Sequence, residues 1–356
     1  QTVDEDTVVN FDGSSSSDNV GIVSYSWDFN ASDGISVDAT GATTTHTYTE
    51  PGTYTVTLNV SDDAGNYATD TLIVTVNDTT APSDIVDLTI EVQGVDLLLN
   101  WTEPNDNVAV SHYNIYRSTN VSITGTLISQ PISGVHNFTD LSVVGDGNIY
   151  YYIVVPVDTS GNIGNFSNKV SNPEFSFKSG MNLISLSIIP NNNSIDAMLP
   201  QNISYHPIIE ISKRKSSGQY VISRYYPDFD IWWSADPTFT TIEIGEGYWF
   251  KMEQPVNLTF TGTVNTLNGS IVMNDGMNLI GWPSSRIVAI EEAVPQNLTY
   301  HPVIEISERM DTGQYRIVRY YPDFDIWWSA NGLDSLTPGK GYWFKVSGEF
   351  TWNYTP

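Results

Sequence analysis

The sequence has no cysteine and very little positive charge. Its 356 residues carry 14 Lys+Arg against 41 Asp+Glu, a formal net charge of −27 at pH 7. Without cysteine, disulfide staples, thiolate metal sites, haem attachment and cysteine nucleophiles are excluded. The missing bases exclude a nucleic-acid binder that works through a basic surface and argue against docking on anionic lipid. Charged residues make up 15% of the chain, against about 25% in an ordinary soluble protein. No apolar run approaches the roughly 18 residues of a membrane span, so no membrane insertion is expected within this chain. What is present in quantity is core-forming material. Hydrophobic residues reach 40% and aromatic ones 12%, which separates the chain from disordered sequences. At usual domain sizes its length allows two to four domains.

Charge is distributed unevenly. Residues 1–78 hold 13 acids and no base, 79–172 hold 9 acids and 2 bases, and 173–356 hold 19 acids and 12 bases. An all-acid unit repels itself unless cations or a less negative surface lie nearby. The rear cations Lys213, Arg214, Lys215, Arg224, Arg309, Arg316 and Arg319 read either as a solvated face or as the surface that meets the acidic front of another copy, head to tail.

The fold class expected is all-β: tandem Ig-like sandwiches followed by two duplicated β-rich sandwich or barrel repeats. In residues 1–78, Val20–Trp27 and Gly52–Val60 alternate with period two, Thr71–Val76 is a run of β-formers, and Asp62–Asn66 is turn chemistry. Thr79–Pro82 reads as a linker. Residues 79–172 repeat the pattern with strands at Val95–Trp101, Ser111–Tyr116 and Asn148–Val155. Residues 173–265 and 266–356 are copies of one another. Gly180–Ile184 recurs as Gly276–Ile280, Pro200–Pro207 as Pro295–Pro302, and Gly247–Lys251 as Gly341–Lys345. Tyr225–Ala235 recurs letter for letter at Tyr320–Ala330. Only Ile195–Leu199 and Ile290–Val294 look like helical turns.

Three resemblances follow from these residues. Trp27-Asp28-Phe29, His46-Thr47-Tyr48, Pro51-Gly52-Thr53-Tyr54 and Asp62–Asn66 resemble the PKD domain family, with a turn expanded over Asn30–Gly34. Most of that family's first strand is absent, so a gap is expected at one sheet edge, filled by upstream residues or by a strand donated by another molecule. Trp101, Asp106–Arg117 and Tyr152–Asn162 resemble a fibronectin type III domain. The duplicated repeats, with their Gly-x-Asn-Leu-Ile opening and Gly-Tyr-Trp closing strand, resemble modules of large archaeal and bacterial surface proteins, including S-layer-like ones. The chain begins at Gln1 without an initiator Met or signal peptide and reads as mature or trimmed.

No catalytic constellation emerges. His46, His112, His136, His206 and His301 lack metal-site spacing, and there is no nucleophile elbow, phosphate loop or dinucleotide fingerprint, so no organic cofactor is expected. His46, His206 and His301 read as structural. Asp228/Asp230 and Asp323/Asp325 would share a face if extended, but also read as loop carboxylates answering Arg224 and Arg319. Calcium is the candidate cofactor because the loops are rich in oxygen and poor in bases. Asp106 and Asp158 are its candidates in the second unit; Asp28, Asp33 and Asp62 are those in the first, where the PKD resemblance implies such turns. Sequons occur at Asn30, Asn59, Asn77, Asn100, Asn120, Asn137, Asn165, Asn192, Asn202, Asn257, Asn268, Asn297 and Asn353 and make these the candidate carriers of N-linked glycans. Neighbouring tryptophans in a strand point to opposite faces, so of Trp232/Trp233 and of Trp327/Trp328 one packs inward and one is free for an interface or for sugar. Arg224 and Arg319 join them as interface candidates.

The function expected is therefore a non-enzymatic extracellular or cell-surface structural subunit. It would self-assemble with copies of itself into a filament, sheath or S-layer-like array. The alternatives are an adhesin or carbohydrate-binding stalk and an accessory segment of a larger secreted hydrolase.

Overall fold

In the computed structural model the residues described are 1–354 apart from 35, 200–206, 267, 295–301, 311 and 324. His206, His301, Asn202 and Asn297 lie outside the described residues. The architecture is all-β, a series of β-sandwiches whose two short helices, Ile195–Met198 and Ile290–Ala293, fall on the helical turns expected from the sequence.

The first sandwich packs a five-stranded sheet against the pair Val8–Asp12 and Thr43–Thr47. Period-two alternation puts Val9 and Phe11 inside, against Trp27, Phe29, Val56 and Val74. His46 stacks on Phe29 with ring centroids 4.3 Å apart and meets Tyr48 edge-on at 4.5 Å, a packing role. Burial holds its imidazole below the usual histidine range. Thr2–Asp4 pairs in parallel with Tyr67–Asn77 along Thr75–Asn77. A strand therefore stands at that edge, where the sequence had pointed to a gap: the first strand is split, residues 2–4 joining one sheet and 8–12 the other.

The second sandwich faces Thr89–Gln93, Asp96–Asn100 and Asn137–Asp140 with a sheet that does not stop at its own boundary. The sheet runs Thr126–Ser129, Val110–Ser118, Tyr151–Asp158, Val170–Ser171, and then continues through Gly262–Val264 to Ile188–Pro190 of the third unit. Backbone hydrogen bonds thus cross from one unit to the next. Gly262 permits the close pairing, since a Cβ there would lie 2.2 Å from the Ile189 carbonyl oxygen.

Each repeat builds a five-stranded sheet in the same order: Gly180–Ile184, Tyr248–Met252, Ile208–Arg214, Tyr220–Tyr226, Ile231–Ser234 in the first, and the equivalent strands Gly276–Gly281, Gly341–Val346, Val303–Arg309, Tyr315–Tyr321, Ile326–Ser329 in the second. The copies meet reciprocally. Arg214 lies over the Trp343 ring and hydrogen-bonds the Met277 carbonyl; Arg309 lies over Trp249 and hydrogen-bonds the Met181 carbonyl. Each arginine thus combines a cation–π contact with a backbone acceptor, and the two contacts are related by the duplication itself.

The rear cations have partners inside the chain. Lys213 pairs with Glu246, Lys215 with Asp236, Arg224 with Glu210, Arg316 with Glu308 and Arg319 with Glu305. With Arg214 and Arg309 between the repeats, each of the seven cations singled out from the sequence is engaged internally, so a head-to-tail contact with an acidic front would have to share them.

The junction of the first two sandwiches is held by Glu5. It is 6% exposed and accepts from the Thr79 amide and hydroxyl, the Thr80 hydroxyl and the Asn107 side-chain amide. The Thr80 hydroxyl is the main cause of a carboxyl held below the usual range. A depressed folded pKa gives stability that is fully present above the unfolded value and is lost as pH falls through the folded one. Glu5→Ala should therefore cost about 2 kcal/mol in urea unfolding at neutral pH, the order of a charge-assisted bond with its linker donors left unpaired. The difference from wild type should shrink as pH drops below about 4.3, the ordinary glutamate value. At the other junction, Gly262→Val should lower stability by about 1–3 kcal/mol through backbone overlap, as a shifted urea midpoint.

Candidate functional site

The duplicated hairpin is the most distinctive surface of the chain. Tyr220–Tyr226 and Ile231–Ser234 are joined by a turn in which the Phe229 amide donates to the Tyr226 carbonyl and Asp230 adopts φ 52°. In the second copy the Asp325 amide donates to the Pro322 carbonyl, with Asp325 at φ 51°. Aspartate tolerates this left-handed position better than most side chains. Tyr225 donates its hydroxyl proton to Asp230 and Tyr320 to Asp325, and each carboxylate pushes its phenol up from the usual tyrosine value. The Asp228/Asp230 segment is therefore a turn and not an extended run, so the shared-face geometry for an acid pair does not arise. Arg224 and Arg319 are answered instead by Glu210 at 2.9 Å and Glu305 at 2.7 Å.

The turn sets the register that divides the tryptophans. Trp232 stands opposite Tyr225 and is 9% exposed, in the core; Trp233 stands opposite Arg224 and is 54% exposed. Trp327 and Trp328 repeat the division at 8% and 54%. Cross-strand pairing then lines up Lys251, Glu210, Arg224 and Trp233 across one outer face, and Lys345, Glu305, Arg319 and Trp328 across the other. Tyr226 meets Trp233 edge-on at 6.3 Å, and Tyr321 meets Trp328 at 6.4 Å. Beside the first platform is a groove of about 380 Å³ between Tyr220, Arg224, Tyr226, Trp233 and Asp236. An indole face bordered by a guanidinium and carboxylate already fixed to each other offers both an apolar plane and directed hydrogen bonds. Ile231–Ser234 and Ile326–Ser329 are also the last strands of their sheets.

The carboxylates proposed from the sequence fall into two groups. Asp106 and Asp158 come together, and Asp78, which sequence reading did not single out, joins them: one oxygen from each lies within 4.8 Å of the others. In the first unit, Asp28 is buried and accepts the Asn30 amide, Asp33 is exposed, and Asp62 caps its own turn through the amide and side chain of Asn66. These three are not gathered into one group among the described residues. Asp78 could have been noticed from its place at the end of the last strand of the first unit, next to the linker.

Of the sequon asparagines described, Asn59, Asn77, Asn120, Asn137, Asn165, Asn192, Asn257, Asn268 and Asn353 are exposed, whereas Asn30 and Asn100 are half-buried. The amide nitrogens of Asn77 and Asn165 donate to Asp4 and Asp84.

Residues 1–76 match the family model of the PKD domain. The chain is 33% identical to chitinase A1 of Niallia circulans over 165 residues, which is 44% of this chain and 22% of that protein. It is 37% identical to the amylopullulanase of Thermoanaerobacter thermohydrosulfuricus over 90 residues, 25% of this chain and 6% of that one. It thus spans less than a quarter of the length of either relative. Among solved structures, an Fn3-like protein from Clostridium thermocellum is 27% identical, covering 26% of this chain and 88% of that one with a TM-score of 0.20. Residues 1–76 thus carry the PKD match, and the stretches shared with the two enzymes are small parts of each. The likeness of the duplicated repeats to archaeal S-layer modules finds no support among these proteins.

Proposed function

We propose that the chain is a non-catalytic extracellular stalk that binds polysaccharide through Trp233 and Trp328. The observation that carries this reading is the duplicated outward tryptophan, kept 54% exposed in both copies beside an Arg–Glu pair while its neighbour fills the core. A protein of this size gains nothing in folding from leaving two indoles in water, and the apolar face of a pyranose ring is a natural cover for them. The relatives support the class. Both are polysaccharide-acting enzymes by name, and the stretches matched are small parts of them. The same likeness supports an extracellular setting and makes an accessory segment of a larger hydrolase the nearest variant of this reading.

Self-assembly, the function first expected from the sequence, is the second reading. It is favoured by the same two strands, which end their sheets and carry exposed Ile231, Trp233, Ile326 and Trp328. Such edges are templates for pairing with another chain.

Pull-down on chitin, starch, pullulan and cellulose separates the two. The wild-type chain should be retained by at least one of these, and Trp233→Ala with Trp328→Ala together should weaken retention at least about tenfold, the loss of roughly 1.4 kcal/mol or more. A wild type that binds none of them, or a double variant that binds as well, contradicts the reading. Concentration-dependent oligomers abolished by the same pair of substitutions would establish the second.

A further inference from the structure

We infer that Asp78, Asp106 and Asp158 hold a calcium ion at the junction of the first two sandwiches, and that the ion fixes one against the other. The inference is independent of the polysaccharide reading.

The three carboxylates come from three separate stretches: the segment leaving the last strand of the first sandwich, the loop before Val110–Ser118, and the end of Tyr151–Asp158. Each uses one oxygen to cap its own turn. Asp78 Oδ1 accepts the Thr80 amide, Asp106 Oδ2 the Val108 amide and Asp158 Oδ1 the Asn162 amide. That leaves the second oxygen of each. Asp158 Oδ2 accepts from the Asn162 side chain, whose amide also reaches the Asp78 carbonyl. Asp78 Oδ2 and Asp106 Oδ1 are both fully buried, and neither accepts a hydrogen bond from any of the described residues. Asp158 itself is 2% exposed.

Buried carboxylate oxygens without a donor are costly, and gathering three within 4.8 Å adds mutual repulsion. Among the described residues no protein cation relieves it. Within residues 1–172 the bases are Arg117 and Lys169. Arg117 is bound to Asp140, and Lys169 to the carbonyls of Val121 and Ile123. None of the three aspartates has an ion pair among the described residues. The arrangement instead has what a hard divalent cation needs: converging anionic oxygens and no nitrogen or sulfur ligand in the group. Calcium fits better than magnesium, because ligands drawn from separate loops suit its irregular six to eight oxygens and not a strict octahedron. The ion would act beside Glu5, which already ties the first sandwich to Thr79, Thr80 and Asn107.

The test is calorimetric titration of the whole EDTA-treated chain with calcium chloride and separately with magnesium chloride, followed by thermal unfolding. Wild type should show one saturable calcium site within the millimolar range typical of extracellular modules, tighter than for magnesium. Asp106→Asn and Asp78→Asn should each weaken it at least about tenfold, while Asp62→Asn should leave it unchanged. In EDTA the melting temperature of Asp106→Asn should equal or exceed that of wild type, since a repelling charge is gone; added calcium should raise wild type and not the variant. A wild type without saturable binding up to about 10 mM, or variants that bind as it does, would overturn the inference. So would an Asp106→Asn variant destabilised equally in EDTA and in calcium, which would make the carboxylate a plain hydrogen-bond acceptor.

Discussion

The pleat of a β-strand is the constraint on which the rest of this molecule depends. Because successive side chains leave a strand on opposite faces, two adjacent tryptophans cannot both enter the core. Once the turn at Asp230 fixes the register, Trp232 is committed to the interior beside Tyr225 and Trp233 to the outside beside Arg224. The second repeat makes the same choice with the same residues. The exposed indole is thus a consequence of pairing geometry, and the Glu–Arg pair next to it follows from the same cross-strand alignment.

A second theme is how the modules are joined. Chains of sandwiches are often articulated at their linkers, but here the links are specific. A continuous sheet passes from the second unit into the third through Gly262. Reciprocal arginines clasp the two repeats, and Gly281 lets them approach, since a Cβ there would lie 2.3 Å from the Glu246 carbonyl oxygen. Glu5 and the Asp78, Asp106, Asp158 group occupy the first junction. Surfaces such as the two tryptophan platforms keep a set separation only if the scaffold between them is stiff, so the arginine-clasped joint between the repeats bears directly on how the platforms could act together on an extended ligand.

Much of the fold was legible in the sequence because its signals are local. Alternation in Gly52–Val60, the Asp62–Asn66 turn and the verbatim copy of Tyr225–Ala235 each report on a few neighbouring residues. The split of one tryptophan inward and one outward follows from adjacency alone. Which one is which did not, because that depends on cross-strand register. The partners of Arg224 and Arg319 were misplaced for the same reason: Asp228 and Asp230 are near in sequence, but Glu210 and Glu305 are directly opposite across the sheet. Asp78 escaped notice because its companions lie roughly 30 and 80 residues away and meet it only when two sandwiches dock. The continuous sheet through Gly262 was invisible for a similar reason, since its strands are distant in sequence and look like the ends of separate modules.

The central claim is that the outward indoles are ligand-binding faces and their inward neighbours are structural. Indole-labelled NMR of the whole chain, titrated with soluble oligosaccharides of the polysaccharide it retains, addresses this directly. The account predicts that the Nε1–H signals of Trp233 and Trp328 shift and saturate together, while those of Trp232 and Trp327 stay in place. Shifts that spare Trp233 and Trp328, or that appear only at tryptophans elsewhere in the chain, would contradict it.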